Sequence, residues 1–125
     1  MGIRLADQVS RDPLVGAIFE NLVVLECVKS RFNRGQTVDL YFFRDSAGHE
    51  VDLLFPGATR LHTIEIKSAR TFSRGQLKGT RRMRDLTDRI GQSYLVYSGQ
   101  AHRLSDGMHV LNFRDCDAMM SADGD

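Results

Sequence analysis

Glu20, Asp52, Glu65 and Lys67 are the residues of this 125-residue chain whose types and spacing point most directly to chemistry. In Glu65-Ile66-Lys67 the acid and the amine are two positions apart, so on a strand they share a face. Two strand carboxylates beside a lysine can hold magnesium or manganese against a phosphodiester, with the ammonium placed to stabilise charge or activate water. That is nuclease chemistry in outline. Taken alone, carboxylates next to turns are more often solvated surface groups. Their weight depends on the elements that position them.

Asp12-Pro13 is a helix start, because Asp caps free N–H groups and Pro is tolerated at the first helical position. A helix is expected from there to about Ser30. Its apolar residues, among them Leu14, Ile18, Leu22, Val23, Leu25 and Cys27, surround nearly the whole circumference, which predicts a largely buried helix. Glu20 on such a helix needs a partner or a shifted pKa, unless it is partly exposed or in a salt bridge.

Residues 38–43 then have strand composition, and residues 49–55 alternate, with Val51, Leu53 and Phe55 on one face and Glu50, Asp52 and Leu54 on the other. The pair reads as an antiparallel hairpin around the turn at residues 44–48. Residues 61–67 form a third strand with Glu65 and Lys67 on one face. The 13 residues from Asp52 to Glu65 suit a strand, a turn and a return, and neighbouring strands lie about 4.8 Å apart, so the two acids can share an ion. Glu50 is a rival ligand on the same strand as Asp52, and Glu26 a rival on the helix. Arg44 would either contact phosphate or pair with one of these acids.

A second helix is expected over residues 73–90. Gln76, Thr80, Met83, Thr87 and Ile90 form its packed stripe, while Arg74, Lys78, Arg81, Arg82 and Arg89 form a basic one roughly opposite. The basic stripe would track a nucleic-acid backbone or simply be solvated. Residues 93–98 and 108–113 read as two further strands. Residues 1–12 would be an N-terminal extension, 13–113 one α/β domain, and 114–125 a frayed tail.

The formal net charge of +1 hides this local basic density. No apolar run approaches the roughly 20 residues of a membrane span, and no secretory leader is evident, which points to a soluble, cytoplasmic protein. Cys27 and Cys116 lack a CxxC partner, so buried thiols in a reducing compartment are expected instead of a disulfide or a zinc site. His49, His62, His102 and His109 show no ligand spacing. Residues 75–80, GQLKGT, lack the order of a phosphate-cradling GxxxxGK[ST] loop, so no ATPase motor is encoded here.

The runs Gly16-Ala-Ile-Phe-Glu20-Asn21, Tyr41-Phe-Phe-Arg44-Asp45, Gly48-His-Glu50-Val51-Asp52 and Ile64-Glu65-Ile66-Lys67-Ser68 together resemble a known family. It is the domain of unknown function at the C-terminus of many prokaryotic AAA+ ATPases, which itself resembles the PD-(D/E)XK nuclease superfamily. The resemblance covers about residues 14–113. It implies a restriction endonuclease-like core of order α-β-β-β-α-β-β, a mixed central sheet flanked by helices. It also implies a site of Glu20, Asp52, Glu65 and Lys67, with Gln76 on the following helix. Asp52, Glu65, Glu20 and the Ile66 carbonyl would be the metal ligands. The aromatic residue that often follows the glutamine is replaced by Thr80. The implied partners are DNA and an AAA+ ATPase module, of which the chain would be a fragment or a standalone relative.

Overall fold

The structure, a computed structural model, describes residues 13–48, 50–104 and 108–121. The expected extension at residues 1–12, with Asp12, and His49 in the hairpin lie outside the described residues. The elements are α1 (Pro13–Asn33), β1 (Tyr41–Arg44), β2 (Glu50–Pro56), β3 (Leu61–Ile66), α2 (Lys78–Leu86), β4 (Ile90–Tyr97), β5 (His102–Arg103), β6 (Met108–Asn112) and α3 (Cys116–Ser121). Single 3-10 turns, Arg74–Leu77 and Phe113–Asp115, lead into α2 and α3.

The strands make one six-stranded mixed sheet in the order β1-β2-β3-β4-β6-β5. The β1-β2 and β2-β3 pairs are antiparallel, β3-β4 and β4-β6 are parallel, and β5 returns antiparallel beside β6. The parallel step from β3 to β4 requires a crossover, which α2 supplies.

Alternation along the strands sorts the core onto two faces. Leu53, Phe55, Ile64, Ile66, Tyr94 and Val96 pack with Val23 and Cys27 of α1 and with Cys116, Met119 and Met120 of α3. On the other face Val51, Leu54 and Ile90 pack with Met83 of α2, and Leu77 packs with Leu95, Tyr97, Met108 and Val110.

Val51 therefore lies with Leu54, not with Leu53 and Phe55 as simple alternation predicts. The pairing explains the exchange: Phe43 faces Val51 and Tyr41 faces Leu54, so β2 advances three residues where β1 advances two. That extra residue is a β-bulge.

Three other expectations are corrected. First, α1 is not buried all round. Val23 and Cys27 are covered by the sheet and α3, while Leu14, Ile18, Leu22 and Leu25 are exposed on the opposite side. Second, the element after β3 is not one continuous helix to residue 90. A 3-10 turn containing Gly75 precedes α2, Thr87 is already extended, and Ile90 opens β4.

Third, residues 116–121 do not fray. They form α3, whose Asp117 accepts a 2.7 Å hydrogen bond from Ser30 Oγ and pairs with Arg34 at 3.1 Å, fastening it to the end of α1. Cys27 and Cys116, 89 positions apart, meet in this helix contact as free, buried thiols. Their hydrogen bond and their burial push the Cys27 thiol up. Among the described residues no helix is long and apolar enough to cross a membrane.

Candidate functional site

The acids predicted from spacing meet where β2 and β3 separate. Leu53 pairs with Ile64, so the same register sets Asp52 against Glu65 just beyond the ladder. There the Asp52 side chain takes over the role of a strand partner: Oδ2 accepts the Ile66 N–H at 2.7 Å. The next N–H, of Lys67, donates to the Val96 carbonyl of β4 at 3.0 Å. The Asp52 side chain on one side and the Val96 carbonyl on the other thus hold the successive N–H groups of Ile66 and Lys67.

Glu65 is only 4% exposed and hydrogen-bonds the Asp52 carboxylate. Its other neighbour is Lys67, with Nζ 3.7 Å from Oε1. Burial, followed by the bond to Asp52 and the charge of that residue, pushes the Glu65 carboxyl up to about 9, against a smaller opposing pull from Lys67. Near neutral pH Glu65 therefore keeps its proton.

The site opens into a shallow cleft of about 190 Å³, walled by Glu50, Glu65, Lys67, Gln76, Lys78 and Gly79. Gly79 is required there, because a Cβ on it would stand 2.0 Å from the Glu50 carbonyl oxygen. Gln76 lies in the cleft wall, but its Oε1 accepts the Ser73 N–H at 2.8 Å. Its amide nitrogen is the part left to meet a ligand. Glu50, the rival ligand, turns to Arg44, whose Nη2 and Nε lie 3.0 and 3.3 Å from Oε2. Arg44 thus pairs with an acid. Glu26, the rival on α1, pairs with Lys29 at 3.1 Å and acts on the cysteines, away from the cleft.

Glu20 belongs to the field of the site but not to its contacts. Its carboxyl is raised, first by burial and then by Asp52, with Lys67 opposing. Among the described residues it makes no hydrogen bond or ion pair. The Ile66 carbonyl belongs to the residue whose N–H Asp52 holds. Among the described residues no three His, Cys, Asp or Glu side chains are clustered to hold an ion. Asp52 and Glu65 offer two carboxylates, which is the protein share typical of a magnesium site completed by waters.

The basic residues divide. Arg74, Lys78 and Arg82 are exposed and spaced by four, whereas Arg81 is half-buried. Arg89 lies outside the helix, before β4. Arg84 points inward and donates to the Gly91 carbonyl and Ser93 Oγ at 2.8 and 2.9 Å. The histidines have structural partners where they are buried: His62 Nδ1 accepts the Gln92 N–H, and Gln92 Oε1 meets His109 Nε2.

Sequence reasoning missed Gly79 and Lys78 as cleft walls, although two glycines around Gln76 and Lys78 were a signal of close backbone approach. It also missed a larger apolar cleft of about 560 Å³ beside α1, lined by Phe19, Leu22, Val23 and Phe113.

Fold and site together define a mixed α/β domain with an acidic pair and a lysine at the C-terminal end of a central strand. The chain belongs to the family described as Domain of unknown function (DUF4143), whose model matches residues 15–116. No curated protein matches it.

Proposed function

We propose that this chain is a nuclease-like domain of restriction endonuclease-like type that binds DNA and hydrolyses its phosphodiesters with magnesium or manganese. The observation that carries the reading is the contact of the Asp52 carboxylate with Glu65, which lines one cleft together with Lys67. The donor set fits the metal: a buried Glu65 that keeps its proton against the Asp52 carboxylate is relieved when a hard divalent cation takes the proton's place. Asp52 and Glu65 would hold the ion, with Glu20 and the Ile66 carbonyl as further candidates. Such an ion supplies charge to a phosphate oxygen and lowers the pKa of water.

The chain's own residues supply the rest. Lys67 brings a positive charge, held by β3, to where the phosphate's negative charge develops. The Gln76 amide nitrogen orients a phosphate or water, and exposed Arg74, Lys78 and Arg82, with Arg81, draw the backbone of the nucleic acid toward the cleft. By its resemblance the domain would serve an AAA+ ATPase module in the same polypeptide.

Incubation with single-stranded, duplex and branched DNA in magnesium or manganese tests the activity. Cleavage by the wild type and none by Lys67→Ala is the expected result. Equal background from both proteins would overturn the enzymatic reading.

A second reading is favoured by the exposed apolar side of α1, where Leu14 is 66% and Leu22 56% exposed. A non-catalytic module that keeps this fold would cover that side with a protein partner such as the ATPase, and the acids with Lys67 would be a structural network. Calorimetry separates the two readings. Manganese binding that Asp52→Ala abolishes supports the metal site, and no heat together with a large loss of stability in Asp52→Ala supports the structural network.

A further inference from the structure

We infer that Arg60 and Arg89 form a phosphate-binding subsite, at the end of β3 opposite the acid pair, for the same nucleic-acid backbone. Both arginines line one cleft of about 290 Å³, together with Gly57, Thr59 and Leu61. The cleft is built by the backbone. The Gly57 N–H donates to the Arg60 carbonyl at 2.7 Å and closes the turn between β2 and β3. The Leu61 N–H donates to the Arg89 carbonyl at 2.9 Å and ties that turn to the start of β4. Two residues distant in sequence are thereby fixed side by side.

The electrostatics select the ligand. No acid lines this cleft, and among the described residues neither guanidinium is in an ion pair. Asp85 and Asp88, the acids nearest to Arg89 in sequence, are exposed and likewise in no ion pair. Two arginines lining one cleft with no acid in its wall carry like charge that an anion accepting from both would offset. Their planar, multi-donor shape suits the oxygens of a phosphate group.

Position extends the argument. From Arg60 to Glu65 is about 16 Å along the strand, or roughly five phosphate steps of a stacked strand. Helix α2 covers about the same distance at about 13 Å for its nine residues. Lys78 lines the acid cleft at one end of it, Arg82 is exposed midway, and Arg89 follows its far end. One backbone can run from the acid cleft past Arg82 to Arg60 and Arg89. The cleft itself argues for phosphate, and the identification of that phosphate as nucleic acid rests on the function proposed above.

Two probes test the subsite on the whole chain without divalent metal: inorganic pyrophosphate, and a labelled single-stranded DNA of about 12 nucleotides, enough to span both clefts. The Arg60→Gln, Arg89→Gln variant is expected to bind the DNA about tenfold more weakly at low salt, with a salt slope smaller by about 1.4, the loss of two phosphate contacts. An Arg103→Gln, Arg114→Gln variant, with the same charge removed elsewhere, should change affinity less than about twofold. Matching circular dichroism melts establish that both variants fold.

Loss of pyrophosphate binding in the first variant, with no DNA binding by any form, would uphold the phosphate subsite and overturn its nucleic-acid ligand. Equal weakening by both variants, an unchanged first variant, or a wild type that binds neither probe would overturn the subsite. DNA cleavage that persists with the first variant unaltered in binding would leave the nuclease reading standing without it.

Discussion

Gly79 lies so close to Glu50 that the start of α2 and the start of β2 touch through backbone atoms alone, the missing Cβ being 2.0 Å from the Glu50 carbonyl oxygen. The contact sets the width of the cleft between Lys78 and Glu65. A methyl group there acts against its own local preference: alanine favours the helix by about 0.8–1.0 kcal/mol over glycine, while forcing the helix from the strand costs about 1–3 kcal/mol. Gly79→Ala should therefore be destabilised in urea titration and should bind manganese more weakly. A more stable variant would show that the helix yields freely.

Glu65 predicts the pH dependence. Its carboxyl has an ordinary value of 4.5 and stands at about 9 in the fold. Below the ordinary value both folded and unfolded chains are protonated, and the stabilising term is complete. As pH rises, the unfolded chain loses this proton first, so stability falls until the folded carboxyl also ionises. The slope approaches about 1.4 kcal/mol per pH unit, an upper limit of about 4 kcal/mol between pH 5 and 8. Glu65→Gln should flatten this profile in urea titrations at successive pH values. A profile with the same slope in wild type and variant would locate the proton elsewhere.

The same proton bears on the metal. An ion that takes its place must release it, so manganese affinity should rise with pH by close to tenfold per unit below the folded carboxyl's range. Titration calorimetry in buffers of different ionisation enthalpy would count the proton released.

Substitution of Lys67 is expected to separate metal binding from turnover. Its Nζ lies 3.7 Å from Glu65, and its side chain is partly exposed to the cleft. Lys67→Met keeps the length and loses the charge. It should retain manganese binding within a few fold, yet cut DNA about 10²–10⁴-fold more slowly. Loss of metal binding and folding together would make Lys67 a structural member of the network.

The end of the chain is part of the core. Met119 and Met120 are each 4% exposed against α1 and the sheet. Met119→Ala should lower stability by about 2–5 kcal/mol, as for other buried methionines. A change within about 0.5 kcal/mol, the range of ordinary surface sites, would mean that α3 is not held there.

What could be read from the chain alone follows from how local each signal is. Glu65 and Lys67 share a face because two is the period of a strand, and the hairpin before them has its own turn, with Gly48 at a φ of +87°. The docking of α3 could not be read, because two methionines and a cysteine among acids and small residues make too short a pattern to show a period. Apolar residues all round α1 say that every side can be buried, not which side is. Arg89 seemed to continue a helical stripe, but Thr87 turns the chain out of the helix, and its true neighbour, Arg60, lies 29 positions earlier. The register that sets Asp52 against Glu65 follows from the 13-residue spacing, whereas the face of Val51 does not, because a bulge leaves no mark in alternation.

That bulge makes β2 a counting device. Strands assign side chains by odd and even, and the three-residue step between Val51 and Leu54, which contains Asp52, shifts the count once. A substitution in this segment changes one side chain, whereas a deletion of one residue changes the parity of everything on one side of it. The carboxylate of Asp52 would trade places with oil, and the site would be lost with every one of its residues still present in the sequence.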